Sequence, residues 1–86
     1  MRPVEYVVVQ RELDRPYEED EVRAIAENTG CFDMYGVTLL RSYLSPDRTR
    51  MVCVFRAPDA EAVRTVNRVS SIPFTHVWTA TLHTPP

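Results

Sequence analysis

The side chains that could do chemistry are few and scattered along this chain of 86 residues. His76 and Trp78 stand two positions apart in a segment that alternates like a β-strand, so their side chains are expected on one face. An imidazole beside an indole ring could carry a proton or ligate a metal ion. A surface or interface histidine is the simpler interpretation, and His83 lies too close to the end of the chain to be favoured.

A second pair, Arg41 and Tyr43, has the same spacing on an earlier predicted strand. These two side chains could recognise a ligand. They could instead belong to a dimer interface, where arginine and tyrosine are enriched. The sequence favours the interface.

The segment Cys31–Gly36 is rich in aromatic and sulfur side chains and is either a short helical turn or a loop over the core. A pocket could reach Cys31 there, although no base adjacent in sequence would activate the thiol. Asp33 and Tyr35 could line the mouth of such a pocket or lie in a solvated loop. We take four residues as candidate catalytic groups: His76, Tyr35, Tyr43 and Cys31. The candidate ligand-binding residues are Arg41, Tyr43, His76 and Trp78. His76 is the one candidate metal ligand, and the residues by themselves indicate no cofactor.

Composition excludes several classes of protein. Ten basic residues against twelve acidic ones give a net charge of −2, which argues against nucleic acid as the partner. No apolar run approaches the ~20 residues of a membrane span, and no secretory leader is evident. We therefore expect a cytoplasmic protein that binds neither nucleic acid nor membrane. The two cysteines show no C-x-x-C spacing, and mid-strand Cys53 is expected in the core.

Periodicity predicts six elements in the order strand, helix, strand, strand, helix, strand. The first helix begins after Pro16 with a run of acidic residues and ends at Gly30, and the second begins at the N-cap Asp59. The predicted strands are Val4–Arg11, Val37–Ser45, Thr49–Arg56 and Phe74–Leu82. On the second strand, simple alternation places Thr38, Leu40, Ser42 and Leu44 on one face. It places Leu39, Arg41 and Tyr43 on the other.

This order predicts one α+β domain over residues 1–86, a ferredoxin-like βαββαβ fold with a four-stranded antiparallel sheet and two helices on one face. The strands are apolar on both sides, so the face without helices would be an exposed apolar surface. Pairing with a second copy would cover it. We therefore expect a homodimer through the open sheet face, an assembly of the dimeric α/β-barrel type.

Several short stretches of the sequence are similar to stretches of a known family once the helices and strands are assigned. The most telling are Cys53-Val54-Phe55, Ala57-Pro58-Asp59, Glu61-Ala62-Val63-Arg64 and Ile72-Pro73. Together with Tyr6-Val7-Val8, Ala24-Ile25-Ala26 and Ser42-Tyr43, they resemble a bacterial domain-of-unknown-function family typified by a nickel-binding, nickel-responsive protein. The resemblance covers nearly the whole chain and implies a ferredoxin-like homodimer.

This chain departs from the pattern of that family at two positions. In that family a glutamate commonly precedes the arginine that ends the first strand, where this chain has Gln10 before Arg11. A histidine commonly follows the Val-Arg pair of the second helix, where this chain has Thr65-Val66-Asn67. Both changes weaken a Ni(II) site, so the resemblance transfers no metal ligand to this chain.

Two functions follow as hypotheses. The first is a homodimeric protein that binds a small ligand or a metal ion, nickel being the metal that the resemblance implies. The second is a cofactor-independent isomerase, cyclase or monooxygenase acting on a hydrophobic metabolite in bacterial secondary metabolism, which is an analogy at the level of the fold.

Overall fold

The computed structural model describes residues 5–27 and 29–86, with the side chains of residues 5, 26 and 29–31 excepted. Val4, where the first strand was predicted to begin, lies outside the described residues. The elements are β1 (Glu5–Glu12), α1 (Glu19–Glu27), α2 (Thr29–Met34), β2 (Thr38–Leu44), β3 (Arg50–Ala57), α3 (Ala60–Val69) and β4 (His76–Ala80). No described helix has the length and apolar character needed to cross a membrane.

The four strands form one sheet in the order β2-β3-β1-β4, and each neighbouring pair is antiparallel. The chain-adjacent strands β2 and β3 pair directly. The other two pairs bring together strands that are distant in sequence, because β1 lies between β3 and β4. The prediction of a four-stranded antiparallel sheet with helices is therefore confirmed.

One face of the sheet is covered by the helices. The buried core combines alternate residues of β1 and β3 with side chains from all three helices. Its members are Val7, Val9, Ile25, Phe32, Val37, Met51, Cys53, Phe55, Ala57, Val63 and Val66. Phe32 of α2 meets Phe55 of β3 edge to face, with ring centroids 5.7 Å apart. Cys53 is fully buried, as the sequence predicted.

The helix ends have clear local causes. At the start of α1 the Glu21 carboxylate accepts a hydrogen bond from the backbone N–H of Glu18 at 2.9 Å, which is half of a capping box. At the start of α3 the Asp59 side chain accepts from the N–H of Ala62 at 2.8 Å, so the predicted N-cap is confirmed.

The segment after α1 differs from the prediction. Gly30 was predicted to end the first helix, and this is wrong, because the backbone is helical from Thr29 to Met34. The chain leaves α2 through Gly36, whose φ of +70° is in the left-handed region that glycine adopts without strain. Of the two interpretations of this segment, the short helix is the one observed.

A β-bulge changes the faces of β2. The register with β3 shifts between Leu39 and Arg41, so Leu40 is the extra residue. Leu39 therefore faces the core together with Ser42 and Leu44, opposite Phe55, Cys53 and Met51 respectively. The predicted grouping of Leu39 with Arg41 and Tyr43 is wrong for this reason, although Arg41 and Tyr43 do share a face.

Candidate ligand-binding face

The sheet surface opposite the helices, which we call the open face, carries all four candidate ligand-binding residues. The strand register defines two rows of directly opposed residues across the sheet. The first row is Arg41, Val54, Val8 and Trp78. The second row is Tyr43, Val52, Gln10 and His76.

The middle of the open face is apolar, and its edge strands β2 and β4 carry both polar and apolar side chains. The apolar members, which we call the apolar stripe, are Tyr6, Val8, Val52, Val54, Trp78 and Ala80. Large side chains are left exposed on it, since Trp78 is 48% accessible and Tyr43 at its border is 58% accessible. Soluble monomers rarely leave such contiguous apolar surface uncovered.

One corner of the open face is built by β1 and β4. The indole Nε1–H of Trp78 donates a hydrogen bond to Oε1 of Gln10 at 2.9 Å. His76 is the cross-strand neighbour of Gln10, and all three side chains are exposed. The hydrogen bond fixes the orientation of the Gln10 amide, because its oxygen is the atom that accepts the indole proton. We call these three residues the β4 corner.

The opposite corner is built by the edge strand β2. The hydroxyl of Tyr43 raises the pKa of the Arg41 guanidinium above its ordinary value, with a further contribution from Tyr6. Arg41 is thus a permanent cation held among phenol rings. A guanidinium with aromatic neighbours suits recognition of a planar carboxylate or of an aromatic surface.

The two corners do not form one compact site within a chain. Strands β3 and β1 lie between β2 and β4, so three strand spacings, about 14 Å, separate the backbones of the corners. Two shallow clefts occupy the open face between them. One of about 420 Å³ lies along Tyr6, Leu40 and Val54, and one of about 380 Å³ lies along Gln10, Tyr43 and His76.

The candidate catalytic residues do not converge. Tyr35 follows α2, which packs on the covered side of the sheet, and is 37% accessible there. His76 and Tyr43 stand at opposite ends of one row of the open face. The side chain of Cys31 lies outside the described part of the structure.

The chain was also compared with known proteins. The family model described as "Nickel responsive protein SCO4226-like" matches residues 6–79. The chain belongs to this family. Neither the curated proteins nor the solved structures contain a significant match. The family predicted from the short sequence strings is thereby confirmed.

The name of the SCO4226-like family refers to nickel, so the donor atoms of this chain were tested for a metal site. Among the described residues no three His, Cys, Asp or Glu side chains cluster closely enough to hold an ion. The β4 corner offers one imidazole, and the neighbouring amide oxygen of Gln10 is already engaged by Trp78. The described donors of a single chain therefore do not fit a complete Ni(II) site.

Two features of this SCO4226-like chain escaped the sequence interpretation. Gln10 joins the β4 corner through a contact 68 residues away in sequence, which alternation alone cannot identify. Arg11 is 1% exposed on the covered side of the sheet and donates from Nη1 to the carbonyl of Pro73 at 2.9 Å. Its place on the buried face of β1, two residues after Val9, was the available signal, but arginine is rarely buried.

Proposed function

We propose that this chain is a single-domain, ferredoxin-like homodimer in which two open faces pack together, and that it binds nickel or a small ligand at the edges of that interface. The strand order β2-β3-β1-β4 with antiparallel neighbours supports the fold. Membership of the SCO4226-like family supports the link to nickel.

The observation that carries the proposal is the apolar stripe. It runs across the two central strands and reaches β4, and it has no covering element among the described residues. A two-fold axis through this face would bury the stripe of one copy against that of the other. The exposed Trp78 and Tyr43 would become interface residues, as is typical of such side chains.

A homodimer also addresses the shortage of metal donors. Each copy brings one exposed imidazole, His76, on the face that pairs. Two copies supply two such groups, whereas a single chain supplies one. Imidazole nitrogen is a suitable ligand for Ni(II), so His76 is the residue through which we propose that nickel is recognised.

Binding is proposed in preference to catalysis because the catalytic candidates are dispersed. General acid–base catalysis needs groups within hydrogen-bond reach of one reacting centre. His76, Tyr43 and Tyr35 occupy three separate places, two of them at opposite edges of the open face. A ligand held at the rim of an interface requires no such convergence.

The proposed metal role is tested by calorimetric titration of the purified protein with Ni(II). We expect micromolar binding in the parent chain and its loss in His76→Ala. The matched control is His83→Ala, because His83 contacts Thr81 near the end of the chain and is not part of the β4 corner. Absence of binding heat in the parent protein, or equal binding by His76→Ala, would contradict a nickel role for His76.

A further inference from the structure

A third cleft, which we call the lateral cleft, lies between the helices and the edge strand β2, away from the apolar stripe. Its volume is about 470 Å³, within the range of small-molecule sites. Its apolar lining comes from Val22 of α1, Phe32 of α2, Val37, and Leu39 of β2. These side chains are continuous with the hydrophobic core, so an apolar ligand placed here would extend the core.

The bulge supplies polar backbone groups at the mouth of this cleft. Leu40 lines the cleft and is the extra residue of the β2–β3 ladder. An extra residue in a bulge is left without its ladder hydrogen bonds, and β2 is an edge strand whose outer side has no strand partner. A mainly apolar pocket with a few fixed backbone donors and acceptors is the usual form of a ligand site.

The mouth also carries two opposite charges that are not paired. Arg23 of α1 and Asp33 at the end of α2 both line the cleft, and neither makes an ion pair with the other or with any described residue. Glu19 is the third charged residue that the helices contribute to the lining. Its Oε2 lies 3.8 Å from Nη2 of Arg48, so Glu19 already forms an ion pair. The cleft therefore presents the guanidinium of Arg23 and the carboxylate of Asp33 beside an apolar lining, and Arg41 of β2 is a second arginine in its wall.

We propose that the lateral cleft binds a small zwitterion with an apolar side chain, of the α-amino acid class. The carboxylate would meet Arg23, the ammonium group would meet Asp33, and the side chain would lie against Val22 and Leu39. The site holds its ligand through residues that do not lie on the open face, although Arg41 of that face also lines the cleft. It would exist whether the chain is a monomer or a homodimer and whether or not nickel binds.

The test uses three probes with one phenyl ring each: L-phenylalanine, 2-phenylethylamine, which lacks the carboxylate, and 3-phenylpropanoate, which lacks the ammonium group. Each is titrated into isotopically labelled full-length protein, and backbone amide shifts are followed by NMR. We expect saturable shifts at residues that line the lateral cleft alone, such as Val37 and Leu39. Because each half-exposed charge contact contributes up to ~1 kcal/mol, we expect L-phenylalanine to bind about fivefold more tightly than either analogue.

Two variants test the two charged residues one at a time. Arg23→Gln is expected to bind L-phenylalanine no more tightly than the parent binds 2-phenylethylamine, and Asp33→Asn no more tightly than the parent binds 3-phenylpropanoate. The matched controls are Arg68→Gln and Glu61→Gln, on the exposed side of α3. Both are expected to bind all three probes as the parent does, and all four variants keep exposed polar side chains and should remain folded.

Three outcomes would overturn the proposal. The first is the absence of saturable shifts for L-phenylalanine up to ~10 mM, a weak-binding limit. The second is equal affinity for all three probes, which would mean that the charges play no part. The third is a set of shifts centred on Val8 and Val54, because those residues belong to the open face.

Discussion

Trp78 donates its indole proton to the side-chain oxygen of Gln10 at 2.9 Å, across the β1–β4 pair and beside His76. This contact joins the last strand to the first on the open face. It also leaves the Gln10 amide nitrogen, a donor that cannot ligate a metal cation, as the unengaged end of that side chain. In the β4 corner the Gln10 side chain is thus engaged in hydrogen bonding, and His76 supplies the imidazole nitrogen proposed to bind nickel.

Gln10→Glu should convert this corner into a better metal site. A carboxylate would still accept the Trp78 proton and would add a charged oxygen ligand next to the His76 imidazole. We expect Ni(II) affinity to rise about tenfold, by calorimetry. Gln10→Asn is the control, because it keeps the amide. Unchanged affinity in Gln10→Glu would show that nickel does not contact this corner.

Replacement of the buried Arg11 by an apolar side chain should stabilise the fold. Its Nε and Nη2 groups are buried and have no hydrogen-bond partner among the described residues, so folding removes them from water with little compensation. Methionine fills a similar volume, and the Pro73 carbonyl is on an exposed residue and can be hydrated. We expect Arg11→Met to raise the free energy of unfolding by about 1–2 kcal/mol in urea titrations. A loss of more than ~2 kcal/mol would show that the guanidinium has a stabilising partner.

The cap of α3 should account for a measurable part of the stability. Asp59 accepts from the Ala62 N–H at 2.8 Å and has the extended backbone of an N-cap residue. Asp59→Ala should lower the free energy of unfolding by about 1 kcal/mol, whereas Asp59→Ser should retain most of it. Equal loss in both variants would assign the effect to the charge near the helix end instead of the hydrogen bond.

Acid sensitivity should include a contribution from Glu21. Its hydrogen bonds with Arg15 and with the Glu18 N–H lower the pKa of this carboxyl to about 2 in the folded chain. A group whose folded pKa is lowered stabilises the fold above its unfolded pKa, and this stabilisation is lost as pH falls through the folded value. The loss should run from the ordinary glutamate range down to about pH 2.

Glu21→Gln should remove that pH dependence while leaving the rest of the acid unfolding curve in place. Glu27→Gln, near the other end of α1, is the matched control. Urea unfolding followed by circular dichroism at several pH values gives the free energy of unfolding of the parent and of both variants. If Glu21→Gln and the parent lose stability in parallel below pH ~4, the pairing with Arg15 does not stabilise the fold.

Most of the strand pattern was predictable, because alternation is a local property. The shared face of His76, Trp78 and Ala80 follows directly from their spacing. The bulge at Leu40 was not predictable, since neither glycine nor proline marks it and leucine fits the alternation as well as any residue. One extra residue was enough to move Leu39 to the core.

The composition of the candidate site was only partly predictable. The sequence identified Arg41, Tyr43, His76 and Trp78 and placed each pair on a strand. It could not show that the two pairs occupy opposite edges, because the strand order brings β1 and β3 between them. Gln10 was identified only as a departure from a family pattern, and its bond to Trp78 depends on long-range register.

The central claim, pairing of two open faces, is tested most directly by size-exclusion chromatography with light scattering at micromolar concentration. Val54 lies in the middle of the apolar stripe, so Val54→Glu would place a charge inside the proposed interface. Val69→Glu makes the same substitution at a residue of α3 that is 60% exposed, away from that face. We predict twice the chain mass for the parent and for Val69→Glu, and the mass of one chain for Val54→Glu. A parent protein with the mass of one chain, or a Val54→Glu variant that is folded by circular dichroism and still dimeric, would contradict the account.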